Sequence, residues 1–268
     1  MTAAEVAGAI DAALEERHAS EPNRRVGHPV PVDRNRLILL AGAIVAALVV
    51  VAVVIVIATG GSSSPKTQTS TAVTTTGNGK TEAQSTFAGV PQSGDTLGKA
   101  SAPATLTVFA DPQCPYCRQW VVDTLPTVVE NYVRTGRIKI VYRGIEVIGD
   151  NSLVGLAAEY AAARQNKLWD MAVALYERQG DENSGWITTA VVRDAAKEIG
   201  LSPAKVVTAM KSGPVLSKIR ASINEAQSLG INSTPTFATQ KQLGSLQQLQ
   251  VSGLEPGDFT PALDQALQ

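Results

Sequence analysis

Asp111-Pro112-Gln113-Cys114-Pro115-Tyr116-Cys117 holds both cysteines of this 268-residue chain, three positions apart. Just ahead of it, Ala104-Thr105-Leu106-Thr107-Val108-Phe109-Ala110 is short, apolar and rich in β-formers, the pattern of a buried strand. Just behind it, Arg118 to Leu125 places Trp120, Val121 and Leu125 at helical spacing. The pair therefore lies at a strand-to-helix junction. Asp111 and Pro112 fall in the turn, and Pro115 takes an early helical position that tolerates a missing N–H. At such a junction the first sulfur, Cys114, faces the unpaired N–H groups and the positive dipole end of the helix, which favour thiolate over thiol. Cys117, one turn further in, is the expected buried partner that closes a disulfide.

Other chemistries fit the pair less well. A zinc site wants about four Cys, His or carboxylate ligands, and the only histidines, His18 and His28, lie far upstream. A Cys/His hydrolase lacks its base for the same reason. A purely structural disulfide would close a tiny loop, and small loops stabilise least in the chain-entropy account. Redox chemistry is the reading that placement and compartment favour together.

The compartment is read from residues 37–58, an uncharged run of Leu, Ile, Val, Ala and one Gly, about 22 residues long and enough to span a bilayer core. Arg24, Arg25, Arg34 and Arg36 precede it, whereas the nearest basic residues beyond it are Lys66 and Lys80. The positive-inside rule places residues 1–36 in the cytoplasm and the C-terminal part outside, on a single-pass anchor. A cleaved signal peptide is the alternative, with Val56-Ile57-Ala58 as the cleavage site, but the apolar run is longer than a signal core of about 7–15 residues. Either arrangement puts the cysteines where disulfides persist. Residues 59–97, rich in Gly, Ser, Thr, Asn and Gln, read as a flexible linker.

Residues 98–268 then form one domain with a sizeable core. Its 16 Lys plus Arg balance 16 Asp plus Glu, and it has no basic stripe or aromatic platform, so nucleic acid is not an expected partner. Arg137-Ile138-Lys139-Ile140-Val141-Tyr142-Arg143 alternates as a strand, completing a βαβ unit whose helix should kink at Pro126. A helical block is expected over about 150–229. Leu153, Leu156, Ala157, Tyr160 and Ala161 mark one helix, and Trp169, Ala172, Val173 and Tyr176 a second. Trp186, Val191 and Val192 mark a third ending near Gly200, after which Ser202 reads as an N-cap with Pro203 at the first helical position. Thr236 to Thr239 and Leu249 to Val251 read as strands, and Asp258 to Leu267 as a terminal helix.

This order, with the cysteines opening the first helix, resembles the DsbA-like thiol-disulfide oxidoreductases over nearly all of residues 97–268. Asp111-Pro-Gln-Cys-Pro-Tyr-Cys117 and Gly230-Ile-Asn-Ser-Thr-Pro-Thr-Phe237 carry the resemblance as a set. It implies an α/β thioredoxin-like fold with an inserted all-helical subdomain, preceded here by the transmembrane helix and linker. It also implies a cis peptide bond before Pro235, beside the active pair, which leaves the backbone of Thr234 able to bond an extended substrate segment. Cys114 and Cys117 are then the catalytic pair, Pro115 and Tyr116 the active-site dipeptide, and Thr234 and Pro235 the substrate contact.

The implied reaction is disulfide exchange with thiol-bearing secreted or envelope proteins, needing no cofactor and no metal, with a membrane redox partner for recycling. In similar systems that partner is a quinone-linked membrane oxidase. The chain departs from strong oxidants of the family: the dipeptide has no histidine, and Val108 stands where related folds often bury an acid, six residues before the first cysteine. These departures lead to an expected potential between about −120 and −270 mV. Oxidation of clients is the leading expectation. A reductase or isomerase, and a non-enzymatic metal carrier or peptide-binding module, stay open at this point.

Overall fold

A computed structural model describes Gly8 and residues 85–268, apart from 242 and 243. The expected membrane span over 37–58, nearly all of the cytoplasmic segment and most of the linker lie outside the described residues. Among the described residues no helix is long and apolar enough to cross a membrane.

The strands are β1 (Gln92–Ser93), β2 (Thr96–Leu97), β3 (Ala104–Ala110), β4 (Ile138–Gly144), β5 (Thr236–Lys241) and β6 (Gln247–Gln248). They form one sheet in the order β1-β2-β4-β3-β5-β6. All of β3 except Thr105 is buried, as a run of Leu, Val and Phe requires of a strand covered on both faces. It runs parallel to β4, Leu106 opposite Ile140, and antiparallel to β5, Leu106 opposite Thr239. A parallel pair needs a long crossover, and helix α1, residues 115–133, supplies it.

Helix α1 alternates between α-helical Pro115–Gln119 and Leu125–Val128 and π-helical Trp120–Thr124 and Val129–Val133. The expected disturbance at Pro126 takes this form. Proline has no N–H to donate and crowds the carbonyl four residues back. The chain absorbs the mismatch one turn earlier, where the Leu125 N–H reaches the Trp120 carbonyl, five residues back.

The helical block between β4 and β5 comprises α2 (Asn151–Ala163), α3 (Leu168–Tyr176), α4 (Thr189–Glu198), α5 (Pro203–Ala209) and α6 (Gly213–Ser228). Helix α7 (Pro256–Leu267) ends the chain. Two aromatic clusters join these layers. Trp120 of α1 packs on Phe237 of β5 and Phe259 of α7, with ring centroids 5.1 and 5.6 Å apart. Tyr142 of β4 meets Tyr160 of α2 and Trp169 of α3 at 6.2 and 5.7 Å. These rings are almost wholly buried, and each large apolar side chain so placed stabilises the fold by about 1.5–3 kcal/mol.

Four local expectations change. Residues 92–97, read as linker, form the β1–β2 hairpin, and Phe87 and Val90 before it are buried. The polar run Gln92-Ser93-Gly94-Asp95-Thr96 has linker composition, but Asp95 pairs with Arg143 of β4 and Lys218 of α6, both at 2.7 Å. Trp186 precedes α4, whose N-cap is Thr188, its hydroxyl accepting the Val191 N–H at 3.2 Å. Ser202 holds the N-cap place before Pro203, yet its side chain makes no capping bond. The strand expected over 249–251 lies two residues earlier, at Gln247–Gln248, although Leu249 still donates its N–H to the Phe237 carbonyl at 2.8 Å.

Candidate active site

Strand β3 ends at Ala110 and α1 begins at Pro115, so the redox pair sits where a buried strand hands over to a helix. Cys114 is the N-cap residue, with φ −73° and ψ 120°, and Pro115 follows at the helix start. Both cysteines are free thiols and nearly buried, whereas Tyr116 between them is 63% exposed. The dipeptide thus presents one aromatic side chain to solvent between two buried cysteines.

The two sulfurs are unlike. The Cys114 thiol is lowered from 9.0 to about 6, first by a hydrogen bond from the Cys117 thiol. Burial opposes the shift, while the Thr234 side chain and the N–H groups of Cys117 and Tyr116 assist it. Helix N–H groups do face the sulfur as expected, but the partner thiol outweighs them. Cys117 is pushed well above 9.0, chiefly by burial and then by the hydrogen bond and charge of Cys114. At neutral pH such a site holds a thiolate at Cys114 and a thiol at Cys117.

The second motif arrives from 120 residues away. The Thr234–Pro235 peptide bond is cis, and the Cys114 thiol lies 3.2 Å from the Thr234 carbonyl oxygen as its donor. Cys114, Cys117 and Thr234 are therefore brought together, with Pro235 next in chain just ahead of β5.

The turn before Cys114 is held by groups that the sequence did not mark as functional. The buried Asp111 carboxylate accepts from Gln113 N–H at 2.8 Å, Ser152 hydroxyl at 2.6 Å, and the N–H groups of Val147 and Ile148 at 2.7 and 2.9 Å. Its main-chain carbonyl accepts from the Tyr176 hydroxyl and the Cys114 N–H, both at 3.0 Å. From just beyond α3, the Gln179 side chain donates to the carbonyls of Pro112 and Cys114 at 3.0 and 3.1 Å. The inserted subdomain therefore grips the redox turn from behind.

Val108 is buried, as expected for an apolar residue at its position. Another element does bury an acid in an apolar setting: Glu159, the only charged residue of α2, is fully buried. Burial raises it to about 8, the Tyr142 hydroxyl facing it pulls it down, and the Asp111 charge pushes it up. Neither Glu159 oxygen closes a hydrogen bond of full geometry. A lone Glu within an Ala-rich apolar helix was the visible signal of this group. Among the described residues no cluster of three or more His, Cys, Asp or Glu could hold a metal ion.

Comparison with known proteins bears on this geometry. The model of the thioredoxin family matches residues 92–248, more than half of the chain. The chain belongs to the thioredoxin family. Its start at residue 92 agrees with a domain that includes the β1–β2 hairpin. This thioredoxin-family protein is 28% identical over 153 residues to the probable disulfide bond formation protein D of Bacillus anthracis, covering 56% of this chain and 70% of that protein. Its fold is that of the crystal structure of oxidised BdbD from Bacillus subtilis, with a TM-score of 0.57 at 20% identity over 66% of this chain and 97% of that one. Pseudomonas aeruginosa DsbA2 is similar at a TM-score of 0.51 and 20% identity, over 66% and 96% of the two chains. The protein is accordingly a DsbA-like thiol-disulfide oxidoreductase, a thioredoxin-like α/β fold with a helical insertion.

Proposed function

We propose that this protein oxidises thiols of secreted or envelope proteins through the Cys114–Cys117 disulfide, on the outer side of a membrane to which residues 37–58 anchor it. The asymmetry of the pair carries the reading. A thiolate stabilised at about 6 favours the reduced enzyme, and a couple whose reduced form is stabilised is the stronger oxidant.

In the oxidising direction a client thiolate attacks the Cys114 sulfur and breaks the Cys114–Cys117 bond, which gives a mixed disulfide and leaves Cys117 to take up a proton. A second client thiolate attacks the client sulfur of that mixed disulfide. The client leaves oxidised, and Cys114 departs as thiolate. Cys114 leaves readily because its conjugate acid is the weaker-bound proton of the pair. Tyr116 and the Thr234 backbone form the client contact in this reading, the backbone carbonyl serving as a strand-like acceptor. A membrane redox partner returns the pair to the disulfide, since residues 37–58 contain no cysteine of their own to relay electrons.

The reduction potential of the couple, equilibrated against glutathione buffers, tests the direction. A value nearer about −120 mV than −270 mV supports the oxidase, and one near −270 mV replaces it with a reductase. Protease protection of the C-terminal domain in sealed membrane vesicles tests the topology: digestion from the cytoplasmic side alone would overturn it.

A further inference from the structure

Loop 145–150, between β4 and α2, carries the exposed apolar side chain of Val147, 41% accessible. Nothing in the loop's own sequence ties it to the redox turn. Its backbone is held there by Asp111, which takes the adjacent N–H groups of Val147 and Ile148 on one carboxylate oxygen. The other oxygen takes Gln113 N–H and the Ser152 hydroxyl. The same residue's main-chain carbonyl takes the Cys114 N–H. One buried residue therefore bonds the turn that presents Cys114, the loop that presents Val147, and the first turn of α2.

The donor count makes the choice of residue specific. Four donors converge on two oxygens, and a carboxylate offers acceptors only. An asparagine would set an N–H against at least one of these N–H groups, leaving it buried and unpaired. Gln113 reinforces the joint from the side, donating to Ser152 Oγ at 2.9 Å and accepting the Asn183 N–H at 3.0 Å.

We propose that Asp111 is a positioning residue that locks the redox turn and loop 145–150 into one unit, so that Val147 meets an apolar side chain flanking the client cysteine at a fixed distance from Cys114. The inference rests on the reading of the protein as one that exchanges disulfides with polypeptide clients. It holds for either direction of exchange.

A double-mutant cycle on the full-length protein tests it, with a fluorescent peptide dithiol whose cysteines are flanked by Leu and Phe as probe. D111N and V147S are each expected to raise KM about fivefold, and the double variant to raise it no further than either alone. D111N is also expected to move the Cys114 thiolate titration, read by ultraviolet absorbance, which V147S leaves in place. Additive effects on KM, or a folded D111N with unchanged KM and titration, would overturn the proposal. Should D111N fail to fold, S152A removes one of the four donors, along with the acceptor of the Gln113 side chain, and enters the same cycle. Wild-type protein that exchanges with dithiothreitol but not with the peptide would instead refute the polypeptide-client reading itself.

Discussion

The sulfur of Cys114 and the carbonyl oxygen of Thr234 lie 3.2 Å apart across 120 residues of chain. That contact exists only while the sulfur carries its proton. A thiolate has nothing to donate, so deprotonation of Cys114 in the reduced protein ends this hydrogen bond.

The reduced protein should show a thiolate transition near pH 6, from the lowered Cys114. Because the Cys117 thiol is the first cause of that lowering, C117A should move the transition upward, and C114A should abolish it. Ultraviolet absorbance of the thiolate across a pH series reads both. The sign for stability follows: a depressed acid stabilises the reduced fold above the unfolded thiol's pKa, and that contribution disappears as pH falls through 6. A C117A variant titrating at or below 6 would remove the partner thiol as the cause.

Cys117→Ser should trap mixed disulfides with clients, and Cys114→Ser should trap none. Only Cys114 combines a lowered pKa with the position next to exposed Tyr116, while Cys117 is buried with its thiol held protonated. Non-reducing electrophoresis decides the matter, and equal trapping by both variants would contradict the assigned roles.

The sequence disclosed those parts of the molecule that local patterns encode. Val108 and Phe109 amid β-formers mark β3, the Cys114 spacing marks the start of α1, and Thr234-Pro235 marks the entry to β5, all as found. The β1–β2 hairpin was not legible because its six residues have linker composition and are stabilised by partners, Arg143 and Lys218, that lie 48 and 123 positions away. Asp111 was legible only as a turn residue. Its role depends on Ser152, Val147 and Ile148 converging on it, which no window around Asp111 contains.

Gly155→Ala should weaken the fold and disturb the redox turn together. A Cβ on Gly155, in the first half of α2, would lie 2.6 Å from Pro112 Cβ and 2.8 Å from its Cγ. Proline cannot rotate away, so the turn itself must move. Overpacking of this kind costs about 1–3 kcal/mol. Thermal melting should register the loss, and the Cys114 titration should shift with it. An Ala variant that melts and titrates as the wild type would mean that α2 yields instead of the turn.

Glu159 should make the oxidised protein less stable as pH rises from acid toward about 8. Burial raises its folded pKa to about 8, against about 4.3 for an unperturbed Glu. Between these values the unfolded chain has released a proton that the folded protein keeps. Stability therefore falls with rising pH across that window and levels off above it. The disulfide form is the right state to measure, because its cysteines no longer titrate and the opposing Cys114 slope is absent. E159Q keeps the shape and removes the proton, so its urea midpoint should lose most of this slope. At pH 8 the variant should exceed the wild type by about 1–3 kcal/mol, as expected when a buried ionisable group becomes neutral. If E159Q reproduces the wild-type slope, another group titrates in its place. Glu146, which burial and the charges of Asp111 and Asp150 also push up, is the next to replace.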